Sequence, residues 1–534
     1  MEIQNSKKTI FTPLVIGLSL IIGIIIGNKY IPVGSYGISQ SFISKPDKLT
    51  SIIQLIKNKY VDNVSTDSIE ETAIPEILKH LDPHSVYIPA KEMAEVNEPL
   101  EGEFDGIGVQ FNLQNDTIYI IATVPGGPSE KQGVAAGDRI ITINDTTVAG
   151  VKIKNDQIVG KLKGKNGTKV KIGVKRHGIK DLIHFEITRD KIPINSVDAY
   201  FMATKDIGYI KISKFARTTY DEFIKAANQL KELGMKKLIL DLRQNGGGYL
   251  NAAVDISDEF LSDGKMIVFT RGSKGNHSEY KATGKGMCEN MNLDILIDSW
   301  TASASEIVSG AMQDNDRAVI IGRRSFGKGL VQESAVFPDG SGIRLTIARY
   351  YTPSGRCIQK PYNKGEENYE EDIYRRSHDG ELNNADSTHF SDSLKFKTLG
   401  GKTVYGGGGI MPDIFVPIDT SFYSTYFKKI THKNSIYNFA LTYSDIHRKL
   451  LSTYKTFETL TQFLEKQNVE SEFLNTVKKQ GINPSPEELK ISQTHINQLL
   501  YAYIIRNILN ENEFYHAVQI HDKDFEQALK NFNE

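Results

Sequence analysis

Two segments combine residue types suited to nucleophilic chemistry. Asp298-Ser299-Trp300-Thr301-Ala302-Ser303-Ala304-Ser305-Glu306 reads as a strand end, a turn of small residues and the start of a helix carrying Ile307, Val308, Ala311 and Met312. A serine at such a turn has its successor amide at a helix N-terminus, where positive partial charge collects. The second segment, Ser325-Phe326-Gly327-Lys328-Gly329, holds a lysine between glycines and is followed by Gln332. A hydroxyl is a poor nucleophile until a base removes its proton, and a lysine serves if burial brings its pKa from ~10.4 towards ~7–8. The flanking glycines permit packing tight enough to bury Lys328, and a glutamine can orient an amine without restoring its charge. Each residue alone also has a bland reading. Ser303-x-x-Glu306 is a capping-box pattern that does no more than start a helix, and Lys328 is equally a phosphate-seeking or solvated lysine.

Other chemistries have less support. The chain has no GxxxxGK[ST], HExxH, paired CxxC or GxSxG pattern. Its twelve histidines are scattered, with only His277, in a polar loop, in the region of the candidate nucleophile. Cys288 and Cys357 are too few for a disulfide scaffold or a thiolate zinc cluster, and leave one disulfide or two free thiols open. Lys+Arg minus Asp+Glu is 64 − 65 = −1, so no global field steers the chain to nucleic acid.

The elements that must position these residues fall into several units, as 534 residues with 39% apolar and 24% charged side chains suggest for a soluble multidomain body. Residues 1–30 are the exception. Lys7 and Lys8 precede an apolar run from Ile10 to Gly27, close to the ~20 residues of a spanning helix. An uncleaved membrane anchor is expected, with cleavage near Val33-Gly34-Ser35 a minority alternative, and the chain beyond Gly27 lies outside the cytoplasm. Residues 45–99 have apolar positions at helical spacing, with Pro75 fitting the first turn of a second helix, and close on the turn "LDPHSVYI". Residues 100–192 are short β-type runs divided by Gly, Pro, Asn and Asp. Residues 193–420 alternate strands and helices, and runs such as "LILDL" and "DILID" fit a sheet covered on both faces. Residues 421–534 are polar and helical, a separate bundle or clamp with a helix start at Ser485-Pro486-Glu487-Glu488.

"GEFDGIGV" with "PGGPSEKQGVAAGDRI" resembles a PDZ domain of the bacterial protease type, in which a peptide adds as a strand and loop amides hold its terminal carboxylate. Gly106, Ile107, Gly108 and Val109 match that loop. "TASASEIVSGAMQDNDRAVIIGRRSFGKGLVQ", with "LILDLRQNGGGYL" and "IRLTIARYYTPSGRCIQ", closely resembles the carboxyl-terminal processing peptidases, the tail-specific serine proteases. The resemblance runs from about Ile52 to Pro417. It implies an α/β peptidase core of βαβ units, crotonase/Clp-protease-like, with an inserted mostly-β PDZ domain. In that family a serine and a lysine stand 25 positions apart, and 328 − 303 = 25 selects Ser303 over Ser299, Ser305 and Ser309. It further implies Gln332 as the assisting residue, and oxyanion donors at Ala304 and at Gly246 or Gly247, where the family often has proline in place of Gly246.

The resulting expectation is a Ser-Lys endopeptidase that captures proteins by their C-terminal tails, needing no metal or organic cofactor and no nucleic acid. It is extracytoplasmic, periplasmic in a Gram-negative bacterium, held in the inner membrane by one N-terminal helix or exported, and compatible with a homo-oligomer. The alternative is a non-catalytic PDZ adaptor on a degenerate protease fold.

Overall fold

The computed structural model describes residues 47–388 and 390–534. They form two compact units that part between Ile77 and Leu78. The first contains α1 (Lys48–Lys59) and all but the last residue of α2 (Thr66–Leu78). Asp47 caps α1, its carboxylate accepting from the Leu49 and Thr50 amides at 2.6 and 3.2 Å. Pro75 is not in the first turn of α2 but near its end, where the helix is about to stop. The expected anchor, residues 10–27, lies outside the described residues, among which no helix is long and apolar enough to cross a membrane.

The second unit opens with β1 (Val86–Ile88) and α3 (Met93–Glu101). Then β2 (Glu103–Gly106) pairs antiparallel with β9 (Asp190–Pro193), so the chain between them leaves and returns at one place. That insertion holds β3 (Val109–Gln114), β4 (Thr117–Thr123), α4 (Pro128–Lys131), β5 (Arg139–Ile143), β6 (Thr146–Thr147), α5 (Asn155–Leu162), β7 (Lys169–Lys175) and β8 (Ile183–Thr188). Its sheet runs β3-β4-β5-β7-β8, leaving β3 at an edge. Alternation dictates the fold: Val170, Ile172 and Val174 of β7 turn inward with Ile118, Ile120, Ile140 and Ile187.

After β9 come β10 (Val197–Met202), β11 (Ile207–Ile212), α6 (Thr219–Glu232), β12 (Lys237–Asp241), α7 (Leu250–Asp258), β13 (Met266–Gly272), β14 (His277–Lys281), β15 (Asn292–Ile297), α8 (Ala304–Asp314) and β16 (Val319–Gly322). They continue with β17 (Leu330–Val336), β18 (Gly342–Tyr351), α9 (Glu366–Glu370), α10 (Asp372–His378), β19 (Lys395–Lys397), β20 (Thr403–Tyr405) and β21 (Ile414–Phe415). The main sheet has the order β10-β11-β12-β15-β16-β21, parallel except for β10. A second, antiparallel sheet runs β1-β18-β13-β14, with β17 on β18. Cys288 and Cys357 are free thiols.

Both faces of the main sheet are covered, which is why its strands read as unbroken apolar runs. Leu238, Leu240, Ile295 and Ile297 pack towards α6, α7 and α8. Ile239 and Leu296 point the other way, where they meet Phe525 and Ala528. Those two residues belong to the C-terminal helices: α11 (Thr425–His432), α12 (Ser435–Leu451), α13 (Phe457–Glu465), α14 (Val469–Lys479), α15 (Pro486–Ile508), α16 (Glu511–Gln519) and α17 (Lys523–Asn531). Two apolar clusters lie within these helices, one of them including Ala517 of α16, and α16 and α17 also supply the second layer over the sheet. Ser485 caps α15 as its sequence suggests, accepting from the Glu488 amide at 3.2 Å. α12 also reaches the inserted domain, where Asp445 accepts from Arg139 at 2.7 Å.

Asp294, inside β15, faces this second layer and accepts from the Asn531 amide at 3.0 and 3.1 Å. Burial pushes its carboxyl up to about 7. An unfolded aspartate releases its proton near ~3.9, so between these values the native chain holds the extra proton and stability falls as pH rises. Asp294→Asn is expected to match the parent near pH 4 and to be more stable by on the order of 4 kcal/mol at pH 8. Denaturant unfolding of both chains across pH 4–8 checks this; parallel pH profiles would contradict it.

Candidate active site

The main sheet brings its chemistry to the ends of β12, β15 and β16. β15 stops at Ile297, and Asp298 organises the next turn, accepting from the amides of Gln244, Trp300 and Thr301, each at 3.0 Å. The Asn245 carbonyl then accepts from the Ala302 amide at 2.9 Å and from Ser305 Oγ at 3.0 Å. Ser303 comes out at φ +56°, the left-handed region, at the start of α8. A helix-capping serine is ordinarily extended. A non-glycine residue held with positive φ is strained and persists only where its surroundings over-determine it. The Ala304 amide is the first of α8, and first-turn amides have no partner within their helix.

The lysine loop runs from the end of β16 to β17. One buried carboxylate binds it to the serine turn. Glu306 accepts from the amides of Ser303, Gly327 and Lys328 at 2.9, 2.7 and 2.8 Å, and from Ser325 Oγ. Tyr350 Oη, from β18, donates towards the carbonyls of Lys328 and Ser303 at 2.8 and 3.0 Å. Burial pushes the Glu306 carboxyl up against the pull of these donors.

Lys328 Nζ donates to Gln332 Oε1 at 3.1 Å, and Gln332 Nε2 donates to the His84 carbonyl. Lys328 is held below its ordinary range by burial first and the Arg344 guanidinium second; Asp82 and Glu306 oppose the shift without cancelling it. Ser303 Oγ and Lys328 Nζ share no hydrogen bond here, the amine being turned to Gln332.

His84 is a component that the sequence did not single out. The histidine expected in this region, His277, instead sits on the exposed β13–β14 hairpin beside Glu279. His84 belongs to the "LDPHS" turn, which Asp82 locks by accepting from the His84 and Ser85 amides and from Thr346 Oγ1 at 2.8, 3.0 and 3.0 Å. Its Nε2 meets Tyr369 Oη at 2.8 Å, and burial, then Lys328, lowers its pKa to about 4. Glu306 was visible only as half of a capping pattern, and that pattern carries no information about the Lys328 loop.

The glycines of the β12–α7 turn form the wall beside Ser303. At Gly247, φ +99°, an added Cβ would lie 2.7 Å from Ser303 Cβ. The Gly247 amide donates to Asn245 Oδ1 at 2.8 Å. Among the described residues the Gly246 amide has no hydrogen-bond partner, and a Cβ there would meet nothing within 4 Å.

The other sequence-predicted group is separate from this centre. Gly106 ends β2, Ile107 is buried in the inserted domain, Gly108 has φ +70° and Val109 begins β3. The Ile107 and Gly108 carbonyls accept inward, from Ser129 and Val124. Beside the loop lies an apolar groove of about 140 Å³ between β3 and α5, lined by Phe104, Ile107, Val109, Phe111, Val159 and Leu162, with Lys163 at its edge. No group of three or more His, Cys, Asp or Glu side chains among the described residues is arranged to hold a metal.

The chain matches the models of peptidase family S41 over residues 206–368, of a PDZ domain over 106–188, and of a family of unknown function over 426–510. It is 34% identical over 313 residues to the carboxy-terminal-processing protease of Bartonella bacilliformis, covering 58% of this chain and 71% of that one. It is equally similar, at 34% over 318 residues, to the carboxy-terminal processing protease CtpA of Bacillus subtilis, covering 59% and 67%. Among solved structures, the photosystem II D1 C-terminal processing protease aligns at 25% identity over 69% of this chain and 92% of that one, with a TM-score of 0.35. The PDZ domain of the Vibrio cholerae carboxy-terminal protease, solved with a peptide, aligns at 32% identity over 17% of this chain and 97% of that one, TM-score 0.16. An α/β core that presents a serine turn beside a lysine loop, with a PDZ domain inserted ahead of it, is thus that of a serine-type peptidase, and the chain belongs to the carboxy-terminal processing proteases of family S41.

Proposed function

We propose that the protein is a Ser-Lys endopeptidase in which Ser303 attacks the scissile carbonyl and neutral Lys328 takes its proton. The observation that carries this reading is the single Glu306 carboxylate bonded to the amides of both residues, which makes the serine turn and the lysine loop one rigid unit. Gln332 orients the amine towards the serine. The oxyanion is held by the Ala304 amide and the Gly246–Gly247 turn, where the Gly246 amide is open and the Gly247 amide would leave Asn245 Oδ1 to take part. Collapse passes the proton from Lys328 to the leaving amine and leaves an acyl-enzyme on Ser303. Water, deprotonated by Lys328, then releases the acid. The core would follow the crotonase/Clp-protease arrangement, and the work would be done outside the cytoplasm, with residues 10–27 as the membrane anchor.

The substrates are proteins with an accessible tail that ends in a free carboxylate. The tail adds to the open edge of β3, its carboxylate at the Gly106–Val109 loop and its last side chain in the apolar groove. A groove of about 140 Å³ with this lining suits an aliphatic terminal residue.

Ser303→Ala is expected to abolish cleavage with the fold retained, and Lys328→Arg to be as inactive as Lys328→Ala, since arginine does not deprotonate. Single-turnover acylation should rise with pH through the depressed pKa of Lys328 to an alkaline plateau. Between that pKa and the unfolded value of ~10.4 the unfolded chain binds the extra proton, so stability should rise with pH across the same window and Lys328→Met should lose this dependence. Substantial activity in Lys328→Arg, or a pH-independent acylation rate, would remove Lys328 as the base. For recognition, one substrate is compared with a free and an amidated C-terminus. Preference for the acid, lost when Gly106 to Val109 are altered, is expected, and equal rates in the parent would refute carboxylate capture.

A further inference from the structure

The C-terminal helices touch both loops of the active site through one cluster of charges. Arg243 lies two residues before Asn245, whose carbonyl organises the serine turn. Its guanidinium donates to Asp522 at 2.7 and 2.9 Å, to Asp524 at 3.0 Å and to Gln519 at 3.2 Å, besides Asp241 at the end of its own strand. Arg323 opens the loop that carries Lys328. It donates to the two oxygens of Asp524 at 2.9 and 2.8 Å, while its amide bonds to the Ile297 carbonyl at the root of the serine turn. Asp524, at the start of α17 and buried, therefore holds both arginines at once.

Stability alone gives a weak reason for this arrangement. Arg243, Arg323 and Lys211 balance Asp241, Asp522 and Asp524, so the cluster is neutral, but taking such charges out of water offsets most of their attraction. The helices already have an apolar purchase on the sheet through Phe525 and Ala528. What the fork geometry of two arginines on one carboxylate adds is definition of where their loops stand.

We propose that Asp524, assisted by Asp522, is a positioning residue that sets the oxyanion turn and the lysine loop in catalytic register. The helices that come after the segment of unknown function would then be part of the catalytic apparatus, acting through Arg243 and Arg323. This rests on the active-site reading above.

The test uses the full chain, the variants Asp524→Asn and Asp522→Asn, and a fluorophosphonate that labels and titrates Ser303. Asparagine keeps the shape, and at position 522 it keeps the cap on the Phe525 amide. Turnover per titrated site is expected to fall about 30-fold in Asp524→Asn and about 5-fold in Asp522→Asn, with KM within about threefold of the parent, as for displaced catalytic groups with binding intact. A merely structural tie would lower the titratable fraction and leave turnover per site at the parental value, and that result overturns the proposal. Should Asp524→Asn fail to fold, Asp522→Asn decides, parental turnover per site again being the refuting result. A parent that is not labelled at Ser303 overturns the active-site reading and the clamp with it.

Discussion

A carboxylate buried without a cation against it is the interaction on which the rest of this site depends. Glu306 is fully enclosed, and its cost is met by three amides and a hydroxyl that come from two separate stretches of chain. Removing any donor would leave a buried lone pair unpaired, at a cost of about 1–3 kcal/mol, so the serine turn and the lysine loop are held to each other by that penalty. The same charge favours the ammonium form of Lys328. Desolvation and Arg344 outweigh it, so the net effect leaves Lys328 below its ordinary range.

Much of the framework was legible because it obeys local rules. Strands buried on two faces read as continuous apolar runs, the inserted domain is punctuated by glycine and proline, and the start of α15 is spelled out by Ser485, Pro486 and Glu488. Lys328 and Gln332 stood out as candidates from their setting among glycines and apolar residues, and the family spacing chose Ser303, since neither residue type nor turn chemistry separates it from its neighbouring serines. The remainder was hidden because its contacts are not local. The His84 carbonyl meets Gln332 across 248 residues and Arg243 meets Asp522 across 279. An amphipathic pattern says that α16 and α17 bury a face; it does not say that the face lies on the peptidase sheet. Pro75 shows the opposite limit, a local rule that named an allowed position other than the one used.

The inserted domain meets the remainder of its unit in two ways. The β2–β9 ribbon pairs four residues on each strand, and Lys163 pairs with Glu98. Elsewhere α12 holds Arg139 through Asp445. The C-terminal helices therefore contact the PDZ domain at one end and the loops of the candidate site at the other, so the two are joined by packed structure as well as by chain.

The second layer of the main sheet has a consequence for how the protein is made. Tyr200 and Asp198 find Asn512 and Tyr515 only after 312 and 317 further residues, and Lys237 finds the Phe532 carbonyl after 295. During vectorial synthesis the sheet is complete in strands long before its second face is covered. Until α16 and α17 emerge, Phe201, Tyr209, Ile239 and Leu296 present an apolar surface to the solvent. Such high contact order slows folding and leaves a partly finished chain prone to association. The serine turn, the lysine loop and the apolar groove of the inserted domain are all synthesised before the last layer of the main sheet.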